Sequence, residues 1–153
     1  ARVQGDLHVK LKMSGESLSH EPVTIIENFI DGHKIDFVKG RVAFDLEWNS
    51  KDQTFDRDLY AMRAFHECGL ISLGVMLTRS EKLNPVFRRI PQLKKDGTPV
   101  YAKNGELVTV HGKYGASTTW MGKLLYRLNA GRHGGCPVLV FGITPKLISD
   151  YDE

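Results

Sequence analysis

The sequence predicts an α/β fold, and two observations carry that prediction. One is the stretch HKIDFVKGRVAFDLEWN (residues 33–49), which reads as a β-hairpin with a cleanly alternating second strand. The other is the order strand, helix, strand over residues 41–78, which calls for a crossover connection within one sheet.

The elements follow in chain order. DLHVKLKM (residues 6–13) alternates and predicts a strand, and SGESLSHEP (residues 14–22) predicts a loop. VTIIENFI (residues 23–30) predicts a strand, with a short helix as the alternative. In the hairpin, Lys39-Gly40 supplies the turn, because glycine suits a position of positive φ. Alternation in RVAFDLEWN sends Val42, Phe44, Leu46 and Trp48 to one face, expected to be core. Ala43, Asp45, Glu47 and Asn49 go to the other. TFDRDLYAMRAFHECG predicts a helix: Thr54 is a cap, and Asp56 and Asp58 suit the first turn. Phe55, Leu59, Met62 and Phe65 form its apolar stripe, and Gly69 ends it. LISLGVMLT (residues 70–78) is almost continuously apolar, as expected of a strand covered on both faces.

Residues 79–113 predict a long surface loop with turns at KDGTPV and KNGE; as a basic flap, the same stretch could touch a phosphate backbone. Ser117, Thr118 or Thr119 is expected to cap a helix running to about Ala130, with Leu124, Leu125 and Leu128 as its stripe and Gly131 as its stop. CPVLVFGI (residues 136–143) predicts another buried strand, and the tail is peripheral.

The hairpin also carries the chemistry. Folding it brings Asp36 beside Asp45, with Glu47 two residues further along the same face. Carboxylates gathered in one place repel one another, and a divalent cation relieves the repulsion. Mg²⁺ takes oxygen ligands from one or two carboxylates and often contacts a phosphate. Such an ion would suit phosphodiester hydrolysis, with Glu47 accepting a proton from the attacking water. The competing reading is a solvated strand face whose charges pair with Lys34, Lys39 and Arg41. Lys51 is the nearest cation in sequence to assist at a phosphate, although the position two after Asp45 is Glu47. The expected helix start near Thr118 offers unpaired N–H groups to a phosphate. Ser117, Thr118, Thr119 and Asn49 can bond phosphates or base edges, with capping and turn formation as the alternative for each.

Composition sets the bounds. A chain of 153 residues with 41% hydrophobic and 25% charged residues fits one domain with a real core. A net charge of +3 permits a polyanionic partner without demanding one. Cys68 and Cys136 have no metal-ligand spacing and predict reduced, partly buried thiols. No histidine pair, Walker loop, dinucleotide fingerprint or Ser-His-Asp arrangement is present, and GRHGG precedes a strand, so it reads as a connection. Without a membrane-length apolar run or a recognisable signal peptide, the expected location is the cytoplasm. The chain opens on Ala1 rather than Met, as either a processed or an engineered chain would.

KIDFVKGRVAFDLEWN, the helix after it, the strand ISLGVMLT, and the later YGASTTWMGKLLYRL and GRHGGCPVLVFGI together resemble the BglII-like restriction endonucleases, a branch of the PD-(D/E)XK nuclease superfamily. The resemblance covers about residues 23–143 of a single nuclease domain, leaving the stretch 79–113 as an unmatched flap. It implies a mixed central sheet flanked by helices, Mg²⁺-dependent cleavage of double-stranded DNA, type II site specificity and a homodimer on a palindromic site. Residue by residue, Asp36 and Asp45 match the metal-binding acids, and the Leu46 carbonyl matches a further ligand. Glu47 matches the position that is Lys in the wider superfamily and Glu or Gln in this branch. Asn49, Ser50, Lys51, Ser117 and Thr118 are assigned to DNA contact, and Glu27 to an auxiliary acid that the family carries upstream. The family often has Glu where Asp45 stands, and often begins with extra helices; this chain's N-terminal part looks short beside it, as in a compact member or a chain with part removed. Two alternatives stand beside this reading: a non-catalytic DNA-binding module, and a repair or mobile-element nuclease of the same fold.

Overall fold

A computed structural model describes residues 5–10, 23–30, 34–114 and 117–149. The predicted loop at 14–22 and the end of the tail lie outside the described residues, as do positions 11–13 of the first predicted strand.

Two sheets are present among the described residues. Strands β1 (Gly5–Lys10) and β2 (Val23–Ile30) pair antiparallel. The second sheet has four strands in the order β3-β4-β5-β6. In it, β3 (Phe37–Lys39) and β4 (Val42–Glu47) form the antiparallel hairpin, and β5 (Leu73–Arg79) and β6 (Val138–Ile143) continue it in parallel. The sheet is therefore mixed, as expected. Lys39 pairs with Val42, so the turn is Gly40-Arg41, one residue later than the sequence suggests. Gly40 has φ 57°, the positive value that the first residue of a tight hairpin turn requires.

Helix α1 (Thr54–Glu67) makes the crossover from β4 to β5. Phe55, Leu59, Met62 and Phe65, spaced for one face of a helix, are all fully buried, as expected. They pack with Ile35, Ala43, Met76, Leu124 and Cys136 in the main core. Gly74 on β5 lets the helix come close: a Cβ there would stand 2.5 Å from Met62 Sδ. Thr54 lies inside the helix rather than at its cap, which is Gln53.

One expectation about β4 is reversed. Leu46 and Trp48 are 44% and 43% exposed, whereas Ala43, Asp45 and Glu47 are buried. The acid-bearing face lies toward the core and the apolar face lies outward. The cause is the crossover helix. It settles on the side where small Ala43 and Gly74 sit opposite each other, and Asp45 and Glu47 share that side by alternation. The reading of these acids as a solvated face fails with it.

The stretch 79–113 is more ordered than a loop. After a 3₁₀ turn at Glu81–Leu83, helix α2 (Asn84–Arg89) packs on α3 (Val110–Tyr114), with Leu83, Val86 and Phe87 forming a small second core. Between them, bridges join Pro91 to Thr109, Leu93 to Pro99 and Tyr101 to Leu107. Gly97 and Gly105, at φ 83° and 82°, make the turns read from KDGTPV and KNGE. Helix α4 (Met121–Asn129) starts later than predicted: its cap is Trp120, without a side-chain bond to the helix. Leu124 is its fully buried residue, whereas Leu125 is exposed. Both thiols are free, but Cys68 is exposed rather than partly buried. No helix among the described residues is long and apolar enough to cross a membrane.

Phe65 anchors α1 with complete burial in the main core. Phe65→Ala is expected to cost about 3–5 kcal/mol, read as a lowered urea midpoint with the urea dependence unchanged.

Candidate active site

The hairpin register brings the predicted acids together. Phe37 pairs with Phe44, so Asp36, one residue before β3, comes opposite Asp45. Two hydrogen bonds lock the pair. The Asp36 N–H donates to Asp45 Oδ1 at 2.8 Å, and the Leu46 N–H donates to Asp36 Oδ2 at 3.2 Å. Glu47 follows on the same face, and the Thr78 hydroxyl holds its backbone carbonyl from β5 at 2.8 Å.

Two further charged residues complete the cluster, and sequence reasoning assigned neither to it. Asp58 on α1 is 1% exposed and faces the acids of β4, whose charges act on it. Arg57 beside it reaches Asp58 Oδ1 at 2.7 Å and Glu47 Oε1 at 3.4 Å. A signal for Asp58 existed: it is three residues after Phe55 and four before Met62, so it falls on the buried stripe of the helix.

The electrostatics follow from burial. Removal from water pushes the Asp45 carboxyl above the ordinary carboxylate range; the bond from the Asp36 N–H opposes this, and the charges of Asp36 and Glu47 add to it. Asp58 is pushed up to about 7, by burial first, against the pull of Arg57 and with the repulsion of Asp45 and Glu47. One oxygen of each of three acids, Asp45 Oδ2, Glu47 Oε2 and Asp58 Oδ2, is buried without a hydrogen-bond partner. Buried carboxylate oxygens left in this state are costly unless a cation meets them. The donors are hard oxygens, the kind Mg²⁺ takes. Among the described residues, no three His, Cys, Asp or Glu side chains converge on one ion position. Mg²⁺ does not need three, since one or two carboxylates with a carbonyl and waters suffice.

Beyond β4 the chain lies beside a segment distant in sequence. Lys51 forms a bridge with Thr118, the Asp52 N–H donates to the Ser117 carbonyl, and the Thr119 N–H donates to the Ser50 carbonyl. The predicted DNA-contact residues Asn49, Ser50, Lys51, Ser117 and Thr118 thus form one ledge at the end of the acid-bearing strand. Their side chains differ in availability. Ser117 and Lys51 are exposed. Thr118 is buried, its hydroxyl donating to the Tyr114 carbonyl and accepting from Arg79. Thr119 Oγ1 accepts from the Ser50 N–H, so it braces the ledge instead of capping a helix. Asn49 has φ 56° and a buried Oδ1 without a partner. Glu27 is exposed on β2, in the other sheet, and the carboxylates acting on Asp45 are Asp36 and Glu47.

Arg79, at the end of β5, fastens this ledge. It is fully buried and donates to the Thr119 and Tyr114 carbonyls, the Thr118 hydroxyl and Asn84 Oδ1, while stacking on Phe87. Its partners come from three separate stretches of chain, so no local pattern announces the role.

A model of the family described as restriction endonuclease BglII/BglIII matches residues 2–143 of the chain. No curated protein and no solved structure matches it.

The raised Asp58 pKa has a consequence for stability. An acid that holds its proton more tightly when folded favours the folded state at low pH. Its contribution is lost as pH rises from the ordinary value of 3.8 through about 7. Asp58→Asn removes that loss. In chelator, melting temperatures at about pH 5 and about pH 8 should diverge, the parent falling further than the variant by about 4 °C or more.

Proposed function

The chain belongs to the restriction endonuclease BglII/BglIII family, and on that premise we propose that it is a Mg²⁺-dependent type II endonuclease acting in the cytoplasm. Its substrate would be double-stranded DNA at a specific sequence, and its working form a homodimer whose two-fold symmetry mirrors a palindromic site.

The observation that carries this reading is the buried acid cluster of the hairpin, with Asp36 and Asp45 locked together and carboxylate oxygens lacking partners. Asp36, Asp45 and the Leu46 carbonyl would hold the ion. Bound there, Mg²⁺ supplies positive charge to the phosphoryl oxygens and lowers the pKa of a water. Glu47 then has the position and the unpartnered oxygen to take the proton of the attacking water. The water oxygen forms a new bond to phosphorus, the bond from phosphorus to the leaving strand oxygen breaks, and that oxygen gains a proton from solvent.

The ledge would set where the DNA lies. Ser117 offers an exposed hydroxyl to a phosphate or base edge, and Lys51 a charge to the backbone. Asn49, half-buried beside them, would accept from a base amino group only once its buried, unpartnered amide oxygen turns outward. Thr118 serves the same surface by fixing the backbone beside Ser117, since its hydroxyl is engaged within the protein.

Cleavage of plasmid and genomic DNA tests the reading. Discrete bands with Mg²⁺ and none in chelator are expected. Asp36→Asn and Asp45→Asn keep an amide oxygen for the hairpin bonds, so both should fold, while cleavage falls by about 10³-fold or more. Smeared products would oppose sequence specificity. Tight DNA binding without cleavage by the parent protein would make it a binding module instead.

A further inference from the structure

A phosphodiester brings negative charge to a place where Asp36, Asp45, Glu47 and Asp58 already gather. Charge building on the phosphoryl oxygens during hydrolysis favours a preorganised cation directed at them. Strand β4 supplies none, because the position two after Asp45 is itself an acid. Lys51 joins the ledge through its backbone bridge to Thr118.

Arg57 has the required placement. Its Nε and Nη2 lie 2.8 and 2.7 Å from Asp58 Oδ1, which pins the guanidinium plane. The contact from Nη2 to Glu47 Oε1 is long, at 3.4 Å, and Nη1 has no partner among the described residues. The Arg57 side chain is 64% exposed, yet its two acid partners are only 2% and 9% exposed. The guanidinium therefore sits at the solvent opening of a buried acid cluster with one edge unengaged. Arg127, paired with Asp52 and Asp56 near the start of the same helix, shows the opposite arrangement: its side chain is 11% exposed and its acid partners are 26% and 34% exposed.

Resting on the nuclease reading above, we propose that Arg57 is a catalytic cation of this site and Asp58 the residue that positions it. Arg57 donates from its free edge to a non-bridging oxygen of the scissile phosphate. It holds that oxygen's charge while the bond from water to phosphorus forms and the bond to the leaving oxygen breaks. The planar fork suits a phosphate, and Asp58 fixes its direction before DNA arrives. Yielding the long contact to Glu47 frees that carboxylate to take the water's proton.

Arg57→Gln keeps donors for Asp58 and removes the charge; Arg57→Lys keeps the charge and loses the fork. Both are compared with the parent full-length chain, in single-turnover cleavage of a plasmid fragment that the parent cuts. They are also compared in binding of a labelled duplex with Ca²⁺ replacing Mg²⁺, across a series of salt concentrations. The duplex carries the cut site, or mixed sequence if the parent cuts nothing. The expected result for Arg57→Gln is a loss of about 10²–10³-fold in the cleavage rate. Its salt dependence of log affinity should also weaken by about one phosphate contact. Arg57→Lys should keep the parent's salt dependence at a reduced rate, and gives the same comparison should the Gln variant not fold. A Gln variant that cuts within about threefold of the parent, with unchanged salt dependence and only a shifted melting temperature, overturns the proposal and leaves the nuclease reading standing. A parent protein that cuts no DNA overturns the nuclease reading and the catalytic role of Arg57 together. The salt comparison then decides separately whether Arg57 touches phosphate.

Discussion

The organising constraint of this protein is the burial of acids between a strand and the helix that crosses over it. Asp45 and Glu47 point inward from β4, and Asp58 points toward them from α1. Carboxylates removed from water raise their own pKa values and those of their neighbours. A fold that places them together gives up stability there and recovers it only when positive charge arrives. Arg57 meets part of that need within the chain, and the unpartnered oxygens mark what is left. Under the proposed function, the same feature that weakens the isolated domain would let it hold a cation and meet a phosphate.

The rest of the fold keeps that cluster in register. The parallel ladder from β4 through β5 to β6 gives the acid-bearing strand a central position, and Phe55, Leu59, Met62 and Phe65 clamp α1 over it. Hydrogen bonds between Asp36, Asp45 and Leu46 fix the hairpin side. At the far end, Arg79 gathers Tyr114, Thr118, Thr119 and Asn84 around one buried guanidinium. The second small core of α2 and α3 is tied to the ledge through this residue. A displacement of the 84–114 region would therefore be felt at Ser117 and Asn49, beside the acids.

The outward side of the sheet carries exposed apolar side chains. Phe37, Leu46, Leu139 and Phe141 are all 44% or more exposed, so among the described residues no layer covers the sheet's second face at these positions. Alternation in β4 made Leu46 look like core, and the apolar run of β6 did the same for Leu139 and Phe141. In the folded chain the core lies on the side of the acids, because that is where α1 has small residues to approach.

Local rules were enough for the hairpin, the helical stripe of α1 and the parallel strands. Alternation placed the hairpin strands, a 3.6-residue period placed the helix, and near-continuous apolar runs placed the parallel strands, although the burial expected of β6 does not hold at Leu139 and Phe141, which are 47% and 50% exposed. Which face of β4 is buried was a tertiary decision. Both faces carry a consistent pattern, and only the seating of the helix chooses between them. Asp58 was legible in hindsight from its place on the buried stripe. Arg57 and Arg79 were not, because their roles depend on partners from other elements. The same holds for the ledge that joins residues 50–52 to 117–119. A sequence records which side chains can face together along one element; the approach of two elements decides which charges meet.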